Sequence, residues 1–117
     1  MTSDHFIYKI TPRADWDAAL VAGRFDGAPV DVKDGFIHFS TADQVAKTAE
    51  IHFSGQNDLL LVAVDSQKLG DALKWEVSRG GALFPHLYAH LLPSAVVWSR
   101  PMLLSANGTH QIPLDAR

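Results

Sequence analysis

Leu59-Leu60-Leu61-Val62-Ala63-Val64 is an unbroken apolar run of strand length. Alternation would mark a strand with one face in water, whereas a continuous run marks a central strand buried on both faces. Such a strand needs a neighbour at each edge and a layer on each side. The rest of the chain is read for what can supply them.

Upstream, His5–Ile10 is rich in β-formers and predicts a first strand. Thr11 is placed to cap a following helix and Pro12 to take its first position, where a missing N–H costs nothing. In that helix Trp16, Ala19, Leu20 and Gly23 fall on one face, and Gly23 is a natural stop. Arg24–Asp34 reads as a loop, with Gly27, Pro29 and Gly35 as punctuation. Gly35–Ser40 (GFIHFS) predicts a short strand with Ile37 and Phe39 on one face and Phe36, His38 and Ser40 on the other. Thr41 and Gln44 form a capping box that opens a helix from about Ala42 to Phe53, with Val45, Ala46, Ala49 and Phe53 inward.

Downstream, Asp65–Gly70 reads as a turn or a single helical turn. Leu73–Ser78 alternates, predicting Leu73, Trp75 and Val77 inward and Lys74, Glu76 and Ser78 on the opposite face. Phe84–Leu92 fits a short helix opened by Pro85 or a strand with His86, Tyr88 and His90 on one face; Pro93 leaves little length for a helix and favours the strand. Ala95–Leu104 supplies a last strand and Asn107-Gly108 a late turn. The order β-α-β-α-β, then mainly strands, predicts an α+β fold with two helices packed on a mixed or antiparallel sheet. A single domain spanning residues 1–117 is expected, its core about residues 5–104.

Composition narrows the function classes. Apolar residues make up 47% and charged residues 20%, the balance of a globule rather than a disordered chain. A net charge of −3 argues against a duplex nucleic-acid binder, which carries a basic excess. The absence of cysteine removes disulfides, thiolate nucleophiles and thiolate metal sites. The start of the chain has no secretory pattern and no apolar stretch reaches membrane length, so a cytoplasmic protein without membrane contact is expected. Phosphate-loop, dinucleotide-fingerprint, H-E-x-x-H and nucleophile-elbow motifs are all missing.

What remains is a set of polar groups among large apolar residues. His38 and Ser40 share a strand face with Phe36 and either line a cleft or are satisfied internally, Ser40 then capping the next helix. Glu76 is a candidate general base or ribose ligand, or else a solvated edge-strand charge. His86 and Tyr88 offer a polar pair with an aromatic wall, although both residue types also bury their bodies and bond through their tips. His86 and His90 would need the helical alternative and a third ligand to hold a metal, and none is expected. Lys9 is either a phosphate contact or a snorkelling surface group.

GFIHFSTADQV (35–45), together with KWE (74–76) and FPHLY (84–88), resembles a bacterial family catalogued as domain of unknown function 952. The likeness runs from about Tyr8 to Val97, including Trp16 and the leucine-rich strand. That family resembles a compact relative of the ADP-ribosyltransferase fold, closest to the histidine-motif branch that includes RNA 2′-phosphotransferases and uses NAD. The resemblance implies that His38 inherits a ligand-contacting role beside Ser40, and that Glu76 stands in for the glutamate of other ADP-ribosyltransferases. At the first motif, Tyr8 is followed by Lys9 where the branch has histidine. Lys9 can donate hydrogen bonds and neutralise phosphate but lacks an imidazole's acceptor. The implied protein binds NAD, ADP-ribose or a related small nucleotide at Lys9, His38, Ser40, His86 and Tyr88. If catalytic, it is an NAD-dependent transferase or glycohydrolase-like enzyme, with His38 orienting the ligand, Tyr88 stacking and Glu76 stabilising an oxocarbenium-like transition state. The alternative is a non-catalytic ligand-sensing or interaction module on the same fold.

Overall fold

The computed structural model describes residues 5–114. Two three-stranded antiparallel sheets and three α-helices make up a small α+β domain. The first sheet has the order β1 (Phe6–Pro12), β3 (Leu59–Asp65), β6 (Val96–Met102). In the second, β2 (Ile37–His38) pairs with β5 (Leu83–Leu87), which pairs with β4 (Leu73–Val77). The helices are α1 (Arg13–Ala22), α2 (Pro29–Asp34) and α3 (Ala42–His52).

β3 is the central strand its composition demands, with β1 and β6 antiparallel on either edge. Leu60, Val62 and Val64 enter one core with Trp16, Phe25, Ile37, Leu87 and Leu91. Leu59, Leu61 and Ala63 enter the other with Tyr8, Val45, Ala49 and Met102. At about 25 cal/mol per Å² of apolar surface removed from water, this strand's two faces are the main driving force for the architecture. The sheets meet where Tyr8 and Ser40 exchange backbone hydrogen bonds, Tyr8 N–H to Ser40 C=O at 2.8 Å and Ser40 N–H to Tyr8 C=O at 2.9 Å.

Several local expectations change. Thr11 is not a helix cap: β1 runs on to Pro12 because Thr11 and Pro12 pair with Leu60 and Leu59, so Thr11 is buried in the strand and Pro12 becomes the N-cap. Gly23 ends α1 in the left-handed conformation as expected, but Leu20 is exposed and the buried face is Trp16 and Ala19. The stretch read as loop contains α2, and two of the three residues read as punctuation are its ends, Pro29 in the first turn and Gly35 as the left-handed C-cap, with Gly27 just ahead of the helix. Among the described residues there are therefore three α-helices rather than two, and every strand pairing is antiparallel. The Thr41–Gln44 box opens α3, with Val45 and Ala49 inward and Ala46 in solvent.

β4 reverses its predicted sidedness. Leu73 is half-buried, but Trp75 and Val77 are exposed: the alternation is present, and its apolar face is the one turned to solvent. Its opposite face carries Glu76 toward the rest of the domain. The strand reading of residues 84–92 holds for the first part only: β5 ends at Leu87 and Tyr88 lies just beyond it.

Candidate functional site

β2 and β5 place His38 directly opposite His86 in an antiparallel register. Their rings lie 5.4 Å apart and inclined at 70°. Phe36 packs on both, stacked on His86 at 4.2 Å and tilted on His38 at 4.6 Å. Each imidazole is held by a different carboxylate.

The carboxylate behind His38 is Asp31, whose side chain is fully buried. Its Oδ1 accepts from His38 Nδ1 at 2.6 Å and from the His38 backbone N–H at 3.1 Å. Its Oδ2 accepts from the Ala28 N–H at 2.7 Å and pairs with Lys9 Nζ at 2.8 Å. Asp31 therefore ties α2, β1 and β2 to one point. Burial pushes its carboxyl upward, but the His38 hydrogen bond, the Lys9 charge and the Ala28 N–H outweigh that and hold the pKa at about 2. Burial pushes the Lys9 ammonium below its ordinary value, against the opposing attraction of Asp31. Backbone geometry serves the same residue. Gly27 has φ +109°, and a Cβ there would stand 2.6 Å from Asp31 Cβ.

On the other ring of the pair, Glu76 Oε1 meets His86 Nδ1 and the Tyr88 hydroxyl, each at 2.8 Å. Those two hydrogen bonds hold Glu76 below the usual carboxylate range, and the bond to Glu76 raises the Tyr88 phenol. Fixing Nδ1 of both rings on a carboxylate leaves Nε2 of each to face elsewhere. For His38, Nε2 sits 3.0 Å from Asp34 Oδ2.

Lys9, His38, Ser40 and His86 border one cavity of about 630 Å³, with Thr48 and Phe84 completing its wall. That is a small-molecule volume. Glu76 and Tyr88 do not border it: Glu76 backs His86, and Tyr88 joins Phe36 along a separate, shallower groove. The predicted ligand set is thus split between a wall and its support. Ser40 does not cap α3, a role Thr41 fills; its hydroxyl lies 3.0 Å from Thr48 Oγ1 inside the domain. His90 leaves the group altogether and pairs with Asp26 at 2.6 Å. Among the described residues, no group of three or more His, Asp or Glu is placed to hold a metal ion, and no helix is long and apolar enough to cross a membrane.

Residues 10–99 match the family described as protein of unknown function (DUF952). The chain belongs to this family. Protein CC0527 from Caulobacter crescentus, in its crystal structure, is 53% identical, with a TM-score of 0.88 over 91% of this chain and 93% of that one. Its solution NMR structure gives 51% identity and a TM-score of 0.83, over 93% and 94%. No curated protein matches.

Asp31 is the site residue that sequence reading missed. Its signal was present, as an acid two residues after a proline and four before a glycine, the spacing of a short helix with a carboxylate in its first turn.

Proposed function

We propose that the cleft binds NAD, ADP-ribose or a related nucleotide, on a fold related to the ADP-ribosyltransferases. The observation that carries this reading is convergence. Lys9, at the position of the branch's first motif, and His38, at its second, come from different sheets to one buried carboxylate and border one cavity. The cavity volume suits a nucleotide-sized ligand, and Ser40 and His86 supply further polar groups on its wall.

Within this reading His38 and His86 contact the ligand, while Glu76 and Tyr88 act through His86 rather than stacking on or stabilising the ribose directly. A second reading, a non-catalytic ligand-sensing module, is favoured by one observation: the Lys9 ammonium in the first-motif position is engaged by Asp31. Calorimetry with NAD, ADP-ribose and AMP up to millimolar concentration tests binding. Heat with ADP-ribose or NAD that is lost in His38→Ala supports the reading, and no heat or thermal shift with any of the three sinks it. Release of nicotinamide from NAD separates the catalytic form from the sensing form.

A further inference from the structure

The two imidazoles and the ammonium of the cleft form a set with a chemistry of its own. His38 and His86 stand opposite each other with rings 5.4 Å apart, both border the cavity, and Lys9 borders it too. The two rings are held differently. His38 has a carboxylate oxygen on each nitrogen, Asp31 at 2.6 Å and Asp34 at 3.0 Å, so its doubly protonated form is hydrogen-bonded at both ends. His86 has Glu76 on Nδ1, and Glu76 does not border the cavity, which leaves the Nε2 lone pair for the cavity side. One ring is built to hold a proton and the other to take one.

We propose that His38 and His86 are the acid and the base for hydrolysis of a ribonucleoside 2′,3′-cyclic phosphate in this cleft, with Lys9 facing the phosphoryl oxygens. The proposal rests on the nucleotide reading above and names its substrate class. A departing nicotinamide leaves neutral and needs no proton, so an acid seat serves it nothing. A ribose oxygen leaving phosphorus is a poor alkoxide and does need one. Water attacks phosphorus as His86 Nε2 takes its proton. The bond from phosphorus to the 2′ or 3′ oxygen breaks, and that oxygen leaves with the electron pair and receives the proton of His38 Nε2. The product is a phosphomonoester, and solvent returns the proton from His86 to His38. Asp34 Oδ2 now occupies the place of the leaving oxygen; it is a solvent-facing side chain that a ligand can displace. Asp31 and Glu76 are positioning residues, each fixing Nδ1 of its ring.

The groups that titrate around the pair are Asp31, Asp34 and Lys9 on the His38 side, and Glu76, Tyr88 and Lys74 on the His86 side, with Asp15 and His52 elsewhere on the cavity wall. An acid and a base acting together give a bell-shaped pH–rate profile. The experiment follows conversion of 2′,3′-cyclic AMP to 2′- or 3′-AMP by the purified full chain, across pH 5–9 as an order-of-magnitude window around histidine titration. Alongside it, calorimetry with ADP-ribose reads binding independently. Expected are turnover with a bell-shaped profile and a loss of about 100-fold or more in kcat in both His38→Ala and His86→Ala. Each variant should lose one limb of the bell. The wild-type profile needs no variant to fold, so a flat profile, or no turnover by folded protein, overturns the proposal. Full activity in either histidine variant overturns it equally. ADP-ribose binding without cyclic-phosphate turnover rejects this chemistry and leaves the nucleotide reading standing; turnover without ADP-ribose binding supports this chemistry and removes ADP-ribose as the ligand.

Discussion

Asp31 and Glu76 do the same chemistry in opposite surroundings. Each carboxylate holds Nδ1 of one of the facing histidines and one further side-chain donor, Lys9 for Asp31 and Tyr88 for Glu76, and Asp31 also accepts two backbone N–H groups. The Asp31 side chain has no exposure, while that of Glu76 keeps 41%. Water can replace any partner that Glu76 loses. It cannot reach Asp31, so the same substitution at the two carboxylates has different consequences. Burial, with the two backbone donors that Glu76 lacks, makes Asp31 the structural one of the two.

The sharpest way to break this contrast is Asp31→Ala. It leaves Lys9 charged and buried, removes the acceptor of the Ala28 and His38 amides, and frees the end of α2. A loss of about 3–5 kcal/mol is expected, the usual cost of orphaning a buried charge. In a domain of this size the melting temperature should fall by more than about 10 °C. A drop of only a degree or two would place Asp31 in the same class as Glu76.

Acid reaches the same residue without mutation. The Asp31 pKa is lowered on folding from 3.8 to about 2, so the folded state favours its ionised form. The stabilisation is therefore fully present above the unfolded value and is lost as pH falls from about 4 toward 2. A lowering of this size corresponds to roughly 2 kcal/mol. Denaturant melts between pH 6 and pH 2 should show this loss, and Asp31→Asn should lack it. Parallel acid curves for the two proteins would remove Asp31 as the cause.

Lys9→Met sharpens the comparison from the cation's side. Burial is the largest influence on Lys9 and acts against its charge, so removing that charge relieves a desolvation cost while Asp31 retains His38 and two backbone donors. The expected cost is about 1–2 kcal/mol, well under that of Asp31→Ala. Equal costs would mean that the ion pair, rather than the carboxylate's whole set of bonds, holds the corner. Glu76→Gln has the smallest expected effect. The melting temperature should hardly move, and the signature should be spectroscopic, with the Tyr88 phenol titrating closer to its ordinary value once the carboxylate is gone.

The parts of the fold that are local in origin were legible in the sequence. The continuous Leu59–Val64 run could only be a doubly buried strand, and Thr41 and Gln44 fix the start of α3 by hydrogen bonds three residues apart. What depends on partners was not legible. Thr11 joins β1 rather than capping α1 because Leu60 lies beside it. Alternation in β4 marks two faces but not which one is covered, and it is the face of Trp75 and Val77 that meets solvent. His38 and His86 could each be read as candidates, but their facing register comes from the β2–β5 pairing, forty-eight residues apart in sequence. Asp31 was hidden by its setting: among Gly27, Pro29 and Gly35 it looked like a loop acid, and only the folded chain brings it a lysine and a histidine.

The seam between the sheets has a mechanical consequence. The backbone exchange between Tyr8 and Ser40 lies one residue from Lys9 and two from His38, the side chains that Asp31 grips together. A rotation that widened the cleft would turn about Tyr8 and Ser40 as its fulcrum and pull against Asp31 as its latch. Opening would also work against the shared core, where Ile37 and Leu87 of one sheet pack with Leu60, Val62 and Val64 of the other. A solute that weakened the Asp31 grip would loosen the jaws as well as alter their charge, and amide exchange at Tyr8 and Ser40 is where that loosening would be felt first.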